Sequence, residues 1–497
     1  MSSTPLLTLI LAGTNDPKTT AVTLNSLSIF ANAVQLIPLH PIPQTERNLF
    51  ITPLPGEPPV GLSSLINRAL SIARGEFLAL FPSGAQASPN LLTLLEAQRL
   101  KYPELNYFYG DYNVIFRTGE RERIESNCCP EDITEREDWG PLEIYRVRSL
   151  RDIGGCDEKI RFRADYDLRL KLTDARPAVR ISEALCTIPK TAGDYAESTA
   201  VLYFPGRGKF GGFSYLFLDP AEEAEIETIF YQMLQRRNAF LAEPPGGRFP
   251  PPSYTSPRVS VVVPVHDRAE FLPKSVGSVL QGSFEDFEII IVDNASEDET
   301  LDVAKRLAAA DSRIRVIPLE DNIIAKALNV GVAAARGEYI AQLDSDDEYT
   351  PDTLAVMVDH LDHHPEEALA ISYYELMDSD GVTLHDFGVI KHLEYNRNNI
   401  LRVDGAGALR CWRRTAILEL GGFNETDFGD YGEDYDLVLK ASERYEVGRV
   451  HRVLYRYRRH PGNSDILRPH ALKIRNKTLA RQRALQRRQE INQQNLR

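Results

Sequence analysis

A long internal repeat constrains this chain more than any other feature. The segment INRALSIARGEFLALFPSGAQASPNLLTLLEA, from Ile66, reads like LNVGVAAARGEYIAQLDSDDEYTPDTLAVMVDH, from Leu328. Further on, GGCDEKIRFRADYDLRLKL from Gly154 echoes GGFNETDFGDYGEDYDLVLKA from Gly421. Gly75 answers to Gly337, and Asp165 to Asp434, at a nearly constant offset. Two matched segments in one order are a poor fit to chance, so the chain reads as two copies of one fold. Its 497 residues call for two or three domains in any case.

Between the copies lies AEPPGGRFPPPSYTSPR, from Ala242, whose prolines and glycines break helices and central strands. Before it, AEEAEIETIFYQMLQRRNAFL puts Ile226, Ile229, Phe230 and Met233 on one helical face. The expected organisation is a first copy over 1–205, a connecting helix and linker over 206–257, a second copy over 258–465, and a basic helical tail over 466–497.

Each copy alternates strands and helices. VSVVVPV, from Val259, is a continuous apolar run, as a strand buried on both faces should be. The following FLPKSVGSVLQG sets Leu272, Val276, Val279 and Leu280 on one helical face. FEIIIVD, RIRVIPL and EYIAQL continue as strands, with helical segments between them. The fold class is therefore α/β, two doubly wound domains in tandem, whose ligands bind beyond the carboxyl ends of the strands.

Composition excludes several functions. The formal net charge of −14 is wrong for a chain that coats nucleic acid. No run of about 18 apolar residues is present to span a membrane. The first residues lack a basic segment and alternate like a strand, so they are read as β-structure rather than a secretion signal. The five cysteines form no C-x-x-C pair, which points to free thiols and a cytoplasmic location.

The chemistry gathers at the strand ends of the second copy. Its first strand ends in Pro264, His266, Asp267 and Arg268, and its second in Asp293, Asn294 and Ser296. The fourth ends in Asp344-Ser345-Asp346-Asp347, where three carboxylates repel one another. Residues i and i+2 leave a strand on one side, so Asp344 and Asp346 are set to share a cleft. A divalent metal, Mg²⁺ or Mn²⁺, with hard oxygen ligands suits that pair. An acidic turn capping the next helix is the bland alternative. Glu433 and Asp434 form a second acidic pair at a helix start, where the backbone dipole alone would favour them. The functional reading makes Asp434 a general base for an attacking hydroxyl and Glu433 its neighbour on the acceptor. Past it, YRYRRHPGNS offers Arg459 to a leaving diphosphate and His460 as a further metal ligand.

In order, VSVVVPVHDR, IIIVDNASEDET, LNVGVAAARGEYIAQLDSDDEYTPD, GGFNE, GEDYDL and YRRHPGNS resemble the motifs of glycosyltransferase family 2, over about Arg258 to Ser464. The resemblance implies the GT-A fold and inversion at the anomeric carbon. It implies a donor site from Pro264, His266, Asp267, Asp293, Asn329, Asp344 and Arg459, with Pro264 to Asp267 and Asp293 lining the base pocket. Asp344 would meet the ribose or the metal, Asp346 would bind the metal, and Asp434 would be the base. Asp267 stands where the family usually has Asn, and VDN replaces the commoner VDD. A nucleotide-sugar donor, commonly a UDP-sugar, and a glycan, lipid-linked or protein acceptor follow from the same resemblance, as does a place in cell-surface polysaccharide assembly.

The first copy has the fold without the acids: Pro82-Ser83-Gly84-Ala85 replaces Asp344-Ser345-Asp346-Asp347, and Ala164 replaces Glu433, although Asp165 matches Asp434. It is read as a degenerate GT-A domain. The stretch from Glu375 to Ala408 is expected to shape the acceptor site, with Gly405-Ala406-Gly407 admitting a sugar close to the backbone. The basic tail after Pro469 is expected as a solvated, partly frayed helix, with peripheral contact to anionic lipid as a further reading. A non-catalytic sugar-binding or scaffold protein is the alternative to an enzyme. A nucleotidyltransferase or nicotinamide dehydrogenase would need a glycine-rich loop that VPVHDRAEF lacks, and no G-x-S-x-G elbow marks a hydrolase.

Overall fold

A computed structural model describes residues 4–12, 16–42, 49–56, 59, 61–116, 118–189, 219–392, 394–403, 407–429 and 431–495. They divide into two compact units, 4–189 with 219–237, and 238–495.

The first unit holds β1 (Leu7–Ala12), β2 (Val34–Pro38), β3 (Phe50–Ile51), β4 (Phe77–Pro82), β5 (Gln86–Ala87), β6 (Tyr107–Ile115), β7 (Arg121–Ile124), β8 (Ile144–Arg146) and β9 (Val179–Pro189). The second holds β10 (Val259–Val265), β11 (Phe287–Asn294), β12 (Ile314–Leu319), β13 (Tyr339–Gln342), β14 (Glu348–Tyr349), β15 (Glu367–Met377), β16 (Val389–Ile390), β17 (Arg410–Arg413) and β18 (Glu446–Arg458). The described sheets run β3-β2-β1-β4-β8-β6-β9-β5 and β12-β11-β10-β13-β17-β15-β18-β14, with β7 beside β6 and β16 beside β15. Strand for strand, the two orders are the same. The tandem α/β architecture expected from the repeat is present.

Every residue of β10 and β11 is buried, and β10 pairs in parallel with both β11 and β13. That is the setting a continuous apolar run requires. Strand β17 enters antiparallel between β13 and β15, so β13 and β15 run in the same direction. The carboxyl ends of β10, β11 and β13 then deliver His266, Asp293 and Asp344 to one end of the sheet.

The shared ARGE segment has a structural reason. Ser260 Oγ donates to Glu288 Oε1 at 2.7 Å and accepts from Gly337 N at 2.9 Å, while Arg336 N reaches Glu288 Oε1 at 2.8 Å. Burial pushes the Glu288 carboxyl up, but the Arg336 and Ser260 bonds outweigh it and hold it below the ordinary range. The first unit repeats this with neutral groups: Thr8 Oγ1 donates to Gln35 Oε1 at 2.9 Å, Gly75 N to Thr8 Oγ1 at 2.9 Å, and Arg74 N to Gln35 Oε1 at 2.7 Å. A Cβ on Gly75 would lie 2.7 Å from Thr8 N, and one on Gly337 2.5 Å from Ser260 N. Only glycine fits either place.

The segment read as a connecting helix and linker is divided between the units. The Pro220–Arg236 helix buries Ile226, Ile229, Phe230 and Met233, and Glu225 accepts from the backbone of Arg161, Phe162 and Arg163, all in the first unit. Residues 238–257 belong to the second: Leu241 and Asn398 exchange two hydrogen bonds of 3.0 Å, and Phe249 stacks on Tyr445 at 4.5 Å. Residues 206–218 lie outside the described residues.

The tail differs from the solvated helix expected of it. His470–Asn495 is one helix with Ile474, Arg481, Ala484, Leu485 and Arg488 buried. It packs against the Glu433–Arg444 helix. Arg488, fully buried, donates to Ser442 Oγ at 3.2 Å and to Asn398 Oδ1 at 3.3 Å, and burial lowers its guanidinium to about 9. Arg481 Nε donates to Leu401 O at 2.8 Å, and Arg487 pairs with Glu443 at 2.7 Å. Arginine stems bury apolar surface that hydropathy counts as polar, so no apolar periodicity betrays this packing. Among the described residues no helix is long and apolar enough to cross a membrane.

Candidate functional site

The site is built on strand ends. Strand β13 stops at Gln342, and Asp344 to Asp347 turn off it. Asp346 Oδ2 lies 2.9 Å from His460 Nε2 and 3.4 Å from Arg268 Nε. Gly462 N donates to His460 Nδ1 at 3.2 Å, which sets the ring proton on Nε2, facing Asp346. Burial raises the Asp346 carboxyl, yet the His460 bond and the Arg268 charge hold it below the ordinary range. Asp344 is pushed up to about 7 by desolvation and the Asp346 carboxylate. Its side chain still reaches solvent, so the neighbouring carboxylate is the firmer cause. Asp347 has another place: its Oδ1 accepts from Arg458 N at 2.6 Å, and burial with Asp346 and Asp344 beside it drives it well above the usual range. It braces β18 from within.

The second acidic pair joins the same field. Asp434 Oδ2 lies 2.5 Å from Arg410 Nη2, and its Oδ1 accepts from Tyr435 N at 2.7 Å. Glu433, buried at the start of the Glu433–Arg444 helix, is pushed well above the carboxylate range by desolvation and by Asp434, with Asp344 adding to the effect. Asp434 acts in turn on Asp344. The structure thus brings Asp344, Asp346, Glu433, Asp434 and His460 into one electrostatic cluster.

At the end of β11, Asp293 is buried, with Oδ2 3.4 Å from Ser296 N and Oδ1 without a hydrogen-bond partner. A buried acceptor in that state awaits a donor. Asp267 has φ +51° and takes Glu297 N and Asp298 N on Oδ1 at 2.8 and 3.2 Å. Short polar side chains tolerate that left-handed backbone, which explains why Asp serves where Asn is usual. His266 Nδ1 lies 3.0 Å from Asn294 O. Pro264 is buried in β10, opposite Val292.

Two candidate donor residues have other partners. Asn329 donates to Phe423 O at 2.8 Å and to Glu425 Oε1 at 2.7 Å, and accepts from Phe423 N at 2.9 Å. Asn67 does the same for Cys156 in the unit without the acids, at 3.0 and 2.8 Å. Asn329 thus fastens the glycine turn at Gly422. Arg459 is buried, paired with Asp465 at 3.0 Å and lying over the Tyr457 ring. Of the expected acceptor loop, Gly405 and Ala406 lie outside the described residues; Gly407 has φ +65°.

Sequence reasoning missed Arg410 and gave Arg268 no role. Arg268 donates to Asp267 O at 2.9 Å and to Gly462 O at 2.5 Å, besides meeting Asp346. It ties three motifs together. Its place directly after the acidic strand end was the available signal. Arg410 had none, because only the β13–β17 register, Gln342 opposite Arg410, brings it to the cluster.

These features define an α/β domain with an acidic cluster at the carboxyl ends of its parallel strands. Residues 260–420 of that domain match the model of glycosyl transferase family 2. An uncharacterized protein of Sinorhizobium fredii, y4gI, is 32% identical over 42% of this chain and 23% of its own length. The chondroitin synthase of Pasteurella multocida is 28% identical over 42% of this chain and 21% of its own. The glycosyltransferase GlyG of Streptococcus pneumoniae is 31% identical over 26% of this chain and 46% of its own. The match therefore spans about a fifth to a half of these curated relatives.

Proposed function

We propose that the second unit transfers a sugar, with inversion, from a nucleotide diphosphate donor to an acceptor hydroxyl. The observation that carries this reading is the convergence of two acidic motifs, Asp344/Asp346 and Glu433/Asp434, on one electrostatic cluster. In the displacement, the acceptor O–H proton passes to Asp434 as its oxygen bonds the anomeric carbon. The bond from that carbon to the phosphate oxygen breaks, and the nucleoside diphosphate leaves with the electron pair. Arg410, 2.5 Å from Asp434, holds the base in place. Glu433, held protonated, donates a hydrogen bond to an acceptor oxygen.

The carboxylate oxygens of Asp344 and Asp346 suit a divalent Mg²⁺ or Mn²⁺, with His460 holding Asp346 through its Nε2 proton, and the pile-up of negative charge that lifts Asp344 and Asp347 is what such an ion would relieve. When bound, the ion offsets charge on the diphosphate. Asp293 Oδ1 is suited to take an N–H from the nucleobase, such as the imide of uracil. The acceptor is a hydroxyl of a glycan or a lipid-linked glycan in surface-polysaccharide assembly, a context that the chondroitin synthase relative supports. The first unit, lacking the acids, takes a non-catalytic part.

Calorimetry tests the reading. UDP-, GDP- and dTDP-sugars are titrated with and without Mn²⁺ into the wild type and Asp346→Ala. Mn²⁺-dependent binding of one nucleotide class, lost in the variant, is expected. Folded protein that binds none of them overturns the proposal.

A further inference from the structure

Three metal-ligating side chains gather away from the strand-end cluster. His360 and His364 stand one turn apart at the end of the Thr353–His363 helix, and Glu367 opens β15. One ligand atom from each lies within 4.8 Å of the other two. Because β13 and β15 run in the same direction, Glu367 is at the amino end of the sheet, opposite Asp344 and Asp346.

We propose that His360, His364 and Glu367 form a zinc site that clamps the end of this helix to the start of β15. The group is preorganised. The Arg413 guanidinium, buried, donates to Glu367 O at 2.9 Å, to Leu361 O at 2.5 Å and to His364 O at 3.1 Å, so one cation fixes all three backbones. His364 Nδ1 lies 2.7 Å from His360 O, which puts the proton there and leaves the Nε2 lone pair for a metal. His360 Nε2 is already 2.7 Å from Glu367 Oε2, and the imidazoles stack at 4.2 Å. Glu367 lies where a Cβ on residue 448 would come within 1.8 Å of Oε2, so Gly448 is what makes room for the carboxylate.

Tetrahedral zinc separates its donor atoms by about 3.3 Å, given bonds of about 2.0–2.1 Å. Two imidazole nitrogens and one carboxylate oxygen are a zinc set, whereas Mg²⁺ and Ca²⁺ seek oxygen alone. Both histidines are partly exposed, which leaves water the fourth position. The distance of the sheet's two ends makes this a stabilising site rather than a second catalytic one.

The test uses the full chain, untagged and stripped of metal, in an Asp346→Ala background that disables the strand-end acids. Zn²⁺ titrated against a chromophoric chelator should bind at one equivalent and raise Tm. His360→Gln and His364→Gln should each weaken binding more than about 10-fold and abolish the Tm rise, as loss of even an outer contact costs about 10–100-fold. His363→Gln, altering the exposed neighbour, should bind as the parent does. With Asp346 intact, His364→Gln should keep full Mn²⁺-dependent donor binding, which also shows that it folds. If the histidine variants fail to fold, Co²⁺ on the parent decides: a tetrahedral d–d spectrum supports the site, and an octahedral one sinks it. Unchanged zinc affinity in folded His360→Gln and His364→Gln, or no equivalent bound by the parent, overturns it.

Discussion

At the end of β13 the second unit carries Asp344-Ser345-Asp346-Asp347; at the end of β4 the first carries Pro82-Ser83-Gly84-Ala85. The strands arrive in the same place in the same sheet order, yet one end holds three carboxylates and the other none. A second difference is visible only in the register. Arg410 stands opposite Gln342, and Glu143 precedes Ile144, which stands opposite Ala79, so the two residues occupy matching positions. Arg410 pairs with Asp434. Glu143 instead faces another acid: its carboxyl is pushed up to about 7 by burial and by the Asp165 charge, while it accepts from Tyr107 and Tyr145. By contrast, the Gly75 and Gly337 networks, the Asn67 and Asn329 clasps, and the Asp167–Lys171 and Asp436–Lys440 pairs recur in both units. The lesson is that what the copies share holds backbone together, and what they do not share is charge at the strand ends.

Substitutions that erase the difference should have the largest effects. Asp346→Ala is expected to lower transfer by about 10²–10³-fold or more, read as product formation at saturating donor. Asp434→Asn should cost about 10²–10⁴-fold with donor binding retained, whereas Asp165→Asn should leave the rate unchanged. An equal loss from Asp165→Asn would end the asymmetry argued here. Arg410→Gln should lower kcat by about 10- to 100-fold, since a hydrogen bond to a charged group contributes about 1.5–3 kcal/mol.

Substitutions in what is shared should act alike on both units. Gly75→Ala and Gly337→Ala are each expected to destabilise their unit by about 1–3 kcal/mol, measured by urea unfolding. The two tryptophans, Trp139 and Trp412, lie one in each unit and report them separately. The smallest effect is a pH slope. Glu143 has its folded pKa raised from 4.5 to about 7, so the folded state holds a proton that the unfolded state releases. Stability of the first unit should therefore fall as pH rises from about 4.5 to about 7. Glu143→Gln should flatten that slope in a Trp412→Phe background, and an unchanged slope would remove Glu143 as its source.

Much of this was legible from the chain. The apolar runs VSVVVPV and FEIIIVD are buried parallel strands, and Asp344, Asp346, Glu433, Asp434 and His460 stand out in the sequence, which does not show that they lie together. Asn329 and Arg459 stood inside motifs too, yet their side chains serve the Gly422 turn and Asp465. Motif membership does not separate a ligand contact from a fastening. The tail misled for another reason: Arg481 and Arg488 look solvated in a sequence, and only the carbonyls and hydroxyls waiting for them make their burial tolerable.

The sequence by itself determined the repeat, the alternation of strands and helices, and the loss of acids from one copy, because periodicity and residue type are local properties. Tertiary structure alone decided which charges meet. Arg410 reaches Asp434, Arg268 reaches Asp346, and His360 reaches Glu367 through strand register, loop closure and a helix end. Coulomb interactions depend on distance in space, and a sequence records only distance along the chain.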